Sequence, residues 1–295
     1  MGAFLSWLRP NRSGQPAQFK ASRSGLLAVL VLAVVLAPFL APFAPDRIDI
    51  LNRLSPPSWS HLLGTDQMGR DVFSRLLYAG RLTAGSALLV VLISAAAGTL
   101  LGTVSGYLGG WPDRLLMRFC EGISVLPALA IAMIIAGVMG LGLGAVIVAL
   151  SAVHWTEYAR LVRNMILVER AKLYVQAAEA LGTSRRRIIR RHLLPNISSP
   201  LLTMGAYSLS WVILAFAGLS FLGLGVEPGT AEWGRMIADA RNHMRSHPWL
   251  VMAPGLTIMG FVMAVNLLGD SIGDRMRDRH SSLLTLPKTV FKPRS

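Results

Sequence analysis

Five stretches of this 295-residue chain contain no Asp, Glu, Lys or Arg, and each is long enough to hold a bilayer-crossing helix. They are Gly25–Ala44, Leu82–Pro112, Gly122–Val153, His192–Val226 and Ser246–Gly269, of 20, 31, 32, 35 and 24 residues. About 20 apolar residues coiled as a helix cover roughly 30 Å of hydrocarbon, and a helix satisfies its own backbone hydrogen bonds in lipid. Composition agrees: 53% of residues are hydrophobic and 15% charged, against about 25% charged in a soluble domain. A soluble globule of this size needs a larger polar skin. The same arithmetic excludes disordered, collagenous and disulfide-rich classes, and the single Cys120 cannot form an internal bridge.

Gly122–Val153 holds either one overlong helix or two crossings joined at Gly140-Leu141-Gly142-Leu143-Gly144, where alternate glycines favour a turn. Charge sidedness decides. With six spans and a cytoplasmic N-terminus, the inner segments 1–24, 106–121, 157–196 and 270–295 carry 21 basic and 8 acidic residues. The outer segments 46–83 and 223–249 carry 8 and 7. Five spans would leave only nine basic residues inside, and basic loops stay cytoplasmic. The net charge of +14 is therefore orientation, which removes the case for nucleic acid as a partner.

The reading is an all-α integral membrane protein. Its expected segments are a cytoplasmic tail at 1–24, span one at 25–45 and an extracytoplasmic segment at 46–82, with an interfacial helix over Val72–Leu82. A core over 83–270 follows, with spans at 83–105, 115–138, 145–165, 197–222 and 249–269, an inner loop at 166–196 and an outer loop at 223–248. A cytoplasmic tail closes the chain at 271–295. Span one is too long for the apolar part of a signal peptide, and Pro42 occupies the place of a small residue before a cleavage point.

The inner loop is the most structured polar stretch. Tyr174, Ala177, Ala178 and Leu181 recur at helical spacing and give one small, apolar stripe. Gly182 then stops that helix, and Thr183 or Ser184 can cap a second one carrying Arg185, Arg186, Arg187, Arg190 and Arg191 before Pro195. Two readings fit the pattern equally: an alanine-tipped helix for another protein's groove, or an amphipathic helix on the inner leaflet with its arginines on lipid phosphates.

Gln176-Ala177-Ala178, then Glu179 and Gly182, then His192-Leu193-Leu194-Pro195, resembles the "EAA" loop of ABC-importer permeases. Gln176 stands where that family has Glu and His192 where it has Ile, while the small residues and Gly182 are retained. Three further stretches resemble the dipeptide/oligopeptide/nickel permease family. They are Gly64-Thr65-Asp66-Gln67-Met68-Gly69-Arg70-Asp71, then Gly223-Leu224-Gly225 with Trp233-Gly234, then Asn266-Leu267-Leu268-Gly269-Asp270 followed by Asp274. Length and outer loops are similar to the "C" subunit of the permease pair.

That resemblance implies a six-span, MetI-like type I architecture and a permease subunit of an ATP-driven importer, for di- or oligopeptides first and nickel or a metal chelate second. It implies a second permease subunit, two ATP-binding subunits and an extracytoplasmic substrate-binding protein as partners, with membrane lipid around them. The loop containing Tyr174, Gln176, Ala177, Ala178, Glu179, Gly182, Arg185 and Pro195 would dock on an ATP-binding subunit. ATP and magnesium would belong to those subunits, and this chain would hold no cofactor. The setting implied is a bacterial inner membrane with both termini cytoplasmic. A stand-alone secondary carrier is the rival from another class.

Other residues receive plainer readings. Gly98, Gly102 and Gly106 form a small-xxx-small ridge for close helix packing. Pro127 and Pro200 should bend their helices. The charges of residues 65–71 should pair locally as a folded entry to span two, with a contact to a docking binding protein as the alternative. His154 and Glu157 are placed near the inner end of span four, leaving the span centres free of ionisable groups and disfavouring proton or sodium coupling. Asp270 and Asp274 would flank the inner end of span six, beside Arg275 and Arg277. His243 and His247 share a helical face at i, i+4 but lack a third ligand, so no metal site is assigned. No phosphate loop, H-E-x-x-H or other catalytic constellation occurs, so the chain is read as no enzyme.

Overall fold

The computed structural model describes Leu32 and residues 36–284, with side chains through Gly273 apart from Ile272. The 1–24 tail, most of the 25–45 span, the side chains of Asp274, Arg275 and Arg277, and the last eleven residues lie outside what it describes. Among the described residues there is no strand, only an isolated bridge between Thr65 and Asp71. The helices are α1 (Ala37–Leu40), α2 (Val72–Leu108), α3 (Gly110–Val125), α4 (Ala128–Met139), α5 (Leu143–Arg170), α6 (Leu173–Ala180), α7 (Arg185–Phe221), α8 (Trp233–Ala240) and α9 (Trp249–Leu284).

Three stretches, α2, α7 and Trp249–Ser271 within α9, are long and apolar enough to cross a bilayer. The pair α3 and α4 passes together, bent by 89°. Residues 115–138 are thus two helices, because Leu126 takes an extended conformation ahead of Pro127, the backbone a proline imposes on its predecessor. At 28 residues α5 is about 42 Å long, but it is charged from Glu157 onward.

The core seam lies between α2 and α5, and the glycine ridge makes it. A Cβ on Gly98 would stand 2.4 Å from Tyr158 Cβ and 2.6 Å from Trp155 O. On Gly102 it would stand 2.5 Å from Ala159 O, and on Gly106 2.9 Å from Arg163 O. Only hydrogen fits, so the two backbones touch along about two turns. Below the seam, Arg163 grips Asp113 through two bonds of 2.9 and 2.6 Å, and Ser105 Oγ also donates to that carboxylate.

The structure differs from the sequence pattern at two places. Val72–Leu82 is no separate interfacial helix: it is the start of the 37-residue α2. Its Val72, Ser74, Arg75 and Leu76 are buried, with Arg75 and Leu76 bonded to Gly229 and Trp233 of the 223–248 loop. His154 and Glu157 sit halfway along α5, because that helix begins at Leu143 and runs to Arg170. The His154 ring is buried, stacked 4.9 Å from Trp211 and edge-on to Tyr158, while Glu157 is exposed. The centre of that helix is therefore not free of ionisable groups.

Candidate functional site

Short helix α6 follows α5 after a two-residue turn and forms an elbow with α7. Its end is fixed by backbone alone. Thr183 N donates to Ala178 O and Gly182 N to Glu179 O, each at 3.0 Å, the paired bonds of a Schellman stop. Gly182 holds φ at +76° with open space around it, so conformation and not crowding demands glycine there. Ser184 takes the N-cap position of α7, without a side-chain cap bond.

The arginines do not sit on a separate helix. Through a π turn at Ile189–Leu193, Arg185–Ile188 runs without interruption into the Leu194–Phe221 helix. Pro195 does not end it. A proline cannot donate to the preceding turn, and the widened π turn directly before it relieves that misfit.

The elbow's inner side is anchored at three points. Val175 is fully buried against Tyr107, Val162, Ile166, Ile188, Leu193 and Ile197, joining α2, α5, α6 and α7. Tyr107 Oη donates to Glu179 Oε1 at 3.2 Å. Arg170 pairs with that same oxygen at 3.4 Å, donates to Tyr107 O at 2.7 Å and lies 4.9 Å over the Tyr107 ring. Arg185 joins Tyr107, Arg170 and Glu179 around a cleft of about 290 Å³.

Third, Glu169 at the end of α5 collects Tyr174 Oη, Asn196 Nδ2 at 2.9 Å and Lys172 Nζ at 2.6 Å. Burial pushes the Glu169 carboxyl up, but Lys172, Tyr174 and Asn196 outweigh it and hold it below its ordinary value. Burial, then Glu169, pushes the Tyr174 hydroxyl up to about 12, so it stays a donor. None of Tyr107, Glu169, Arg170 and Asn196 stands out in the loop's sequence pattern. Only the i, i+3 spacing of Glu169 and Lys172 hints at the clamp.

What remains outside is apolar. Leu173 and Leu181 are 83% and 86% exposed, and Ala177 lies between them at i, i+4, i+8 spacing, flanked by Ala180 and Gln176. The stripe differs from the expected one. Tyr174 turns toward Glu169, Ala178 is half-buried, and Leu173 takes part instead. Gln176 Nε2 bonds Ala171 O at 3.2 Å and makes no ion pair among the described residues.

The other signature residues lie elsewhere. Gly64 and Gly69 both adopt positive φ, and a Cβ would lie 2.4 Å from Ser55 O at the first and 1.7 Å from Asp49 O at the second. Between them Thr65 bonds Ser55 N at 2.9 Å, and Asp66 receives Arg70 Nε at 2.7 Å. Asp71 caps α2 by accepting from Ser74 N at 2.8 Å. Arg75, 1% exposed, reaches with Arg70 to Gly229 O, each at 3.1 Å.

Opposite, Glu232 caps α8 and also accepts from Thr83 Oγ1 at 3.2 Å. Burial holds its carboxyl above the ordinary value. Trp233 Nε1 donates to Leu76 O at 3.1 Å. Gly223 turns at φ +83°, Gly225 packs on Ser220, and Gly234 leaves no room beside Ala217 O. At the far end of α9, Asn266 accepts from Ser210 at 2.8 Å, Tyr207 bonds Asp270, and a Cβ on Gly269 would lie 2.9 Å from Ala206 Cβ. The signature residues thus form one clasp around the start of α2 and one α7–α9 seam, apart from the elbow. His243 and His247 meet edge-on with centroids 6.2 Å apart, and His247 bonds Ser246.

A family model described as binding-protein-dependent transport system inner membrane component matches residues 98–278. The nickel transport system permease protein NikC of Escherichia coli (strain K12) is 37% identical over 251 residues, 85% of this chain and 91% of that protein. The probable D,D-dipeptide transport system permease protein DdpC of the same strain is 37% identical over 273 residues, 92% and 90% of the two chains. The glutathione transport system permease protein GsiD of Pectobacterium atrosepticum is 36% identical over 261 residues, 88% and 87%.

Proposed function

The chain belongs to the family of binding-protein-dependent transport system inner membrane components and is a multi-pass permease subunit of an ABC transporter; from that premise we propose how it works. It crosses the membrane six times with both termini cytoplasmic, pairs with a second permease subunit, stands on two ATP-binding subunits and receives substrate from an extracytoplasmic binding protein. ATP and magnesium act on those partner subunits, and this chain supplies binding and motion without covalent chemistry. The substrate is a di- or oligopeptide. Nickel is the second reading, favoured by the 37% identity to a nickel transport permease.

One observation supports the mechanism above the rest. The elbow is wired on its inner side to α2, α5 and α7 and bare on its outer side, where Leu173, Ala177 and Leu181 align. A rigid part with one unpartnered apolar face suits a lever seated in another subunit's groove. Closure of the ATP-binding pair would press on that face. Because α7 is continuous from the elbow to Phe221, and α5 ends in the Glu169 clamp, the push would tilt both helices and switch the cavity between outward and inward access.

The test uses Ala177→Asp and Leu181→Asp. Each adds a charge to an exposed site, so membrane insertion and pairing with the second permease should survive. Co-purification of the ATP-binding subunits, and stimulation of their ATPase by loaded binding protein, should be lost. Full stimulation in both variants would reject the lever.

A further inference from the structure

One charged surface is not used by that mechanism. Arg186, Arg187, Arg190 and Arg191 line an open cleft of about 600 Å³ with Ser184 and Pro195, and all four side chains are exposed. Among the described residues no carboxylate pairs with any of them. No acidic residue occupies the first turn either, and the start of a helix is the end at which cationic side chains are disfavoured. Four guanidinium groups within six residues repel one another unless an anion stands between them.

Position along the helix identifies the anion. Leu194–Phe221 alone is 28 residues, about 42 Å, while the hydrocarbon is about 30 Å thick and the headgroup layers add only ~5–7 Å on each side. Its first turns therefore reach the headgroup layer, and Arg190 and Arg191 precede them directly. The exposed face is continuous: Arg191, Pro195, Ser198 and Leu202 follow at i, i+4, i+7, i+11, and Leu202 is 60% exposed. A basic cleft that leads past Pro195 and Ser198 to the exposed Leu202 matches a phosphate joined to acyl chains. The guanidinium fork binds phosphate oxygens in pairs. The elbow's bare stripe, by contrast, is apolar and separate from the arginines.

We propose that the Arg186/Arg187/Arg190/Arg191 cleft binds the headgroup of an anionic phospholipid in the leaflet facing the elbow, fixing the pivot about which α7 tilts. This rests on the orientation proposed above, which places the cleft at the cytoplasmic leaflet where anionic lipid attracts basic segments.

Native mass spectrometry of the purified transporter complex tests it, with phosphatidylglycerol, phosphatidylcholine and inorganic phosphate as probes. The wild type should retain phosphatidylglycerol and not phosphatidylcholine, and R186Q/R187Q/R190Q/R191Q should retain at least about tenfold less. The milder R190Q/R191Q should show an intermediate loss if the fourfold variant fails to assemble. Equal retention of the two lipids, or unchanged retention in R190Q/R191Q, overturns the proposal. So does full displacement by inorganic phosphate, which would make the cleft a free-anion site. Loss of the ATP-binding subunits with phosphatidylglycerol still held would make it a protein dock, and would also overturn it. Orientation is read separately, by labelling of Ser184→Cys, so its failure is not confused with failure of lipid binding.

Discussion

Tyr107 at the end of α2 and Glu179 in the elbow are joined by a 3.2 Å hydrogen bond across 72 residues of sequence, and Arg170 pairs with the same carboxylate oxygen. The bond ties the elbow to the helix that forms the glycine seam with α5. Tyr107→Phe removes that bond to a carboxylate and keeps the ring under Arg170, a change of about 1.5–3 kcal/mol. The complex should assemble normally, while ATPase stimulation by binding protein falls several-fold in proteoliposomes. Unchanged stimulation would take Tyr107 out of the transmission path.

The glycine seam gives a paired comparison. Gly98→Ala places a methyl 2.4 Å from Tyr158 Cβ, whereas a Cβ on Gly85, in the same helix, meets nothing within 4 Å. Overpacking costs about 1–3 kcal/mol, and Gly→Ala in an open helical position gains up to about 1 kcal/mol. Thermal unfolding in detergent should show Gly98→Ala clearly below wild type and Gly85→Ala at or above it.

Gly182→Val should act through backbone conformation alone, since nothing crowds that position. A branched residue at φ +76° costs about 1–3 kcal/mol. Amide exchange across Leu173–Leu181 should accelerate while exchange in the glycine seam is unchanged. Equal acceleration in both regions would mean that the elbow does not fold as a local unit.

The Glu169 clamp carries a pH signature. Its carboxyl is held below the ordinary value by Lys172, Tyr174 and Asn196 against burial. Its contribution is therefore present above the unfolded-state value and lost as pH falls through the lowered folded value. Elbow protection in amide exchange should drop with acid in the wild type and respond far less in Glu169→Gln. The two should converge at the acid end, and parallel pH profiles would contradict the assignment.

Orientation has its own test. In a Cys120→Ala background, Ser184→Cys should react with an impermeant thiol reagent only from the cytoplasmic side. Reaction from outside would overturn the span count.

Much of this was legible before the structure, wherever one residue type forces one geometry. Gly98, Gly102 and Gly106 announced a close helix contact because nothing larger than hydrogen lets two backbones touch. Gly182 announced a helix stop because its φ excludes other residues. Prolines are less legible. Pro127 marks an 89° break, yet Pro195 ends nothing because a π turn accommodates it, and periodicity does not reveal a π turn. Buried charge was least legible. Arg75 and Glu232 look in sequence like ordinary charges beside a membrane, and their burial follows from acceptors or donors contributed by distant turns. Glu232 ahead of Trp233-Gly234 did carry a usable signal, an acidic N-cap. The stripe on α6 lies part of a turn away from the one its spacing predicts, because Tyr174 is drawn inward by Glu169 and Asn196, partners outside the helix itself.

The central claim is that the bare face of α6 sits in an ATP-binding subunit. Ala177→Cys, in the same cysteine-free background, should crosslink to an ATP-binding subunit carrying a cysteine in its groove, and the yield should change between ATP-bound and nucleotide-free states. An assembled complex in which Ala177→Cys reacts freely with soluble thiol reagent and crosslinks to no subunit in either state would contradict the account.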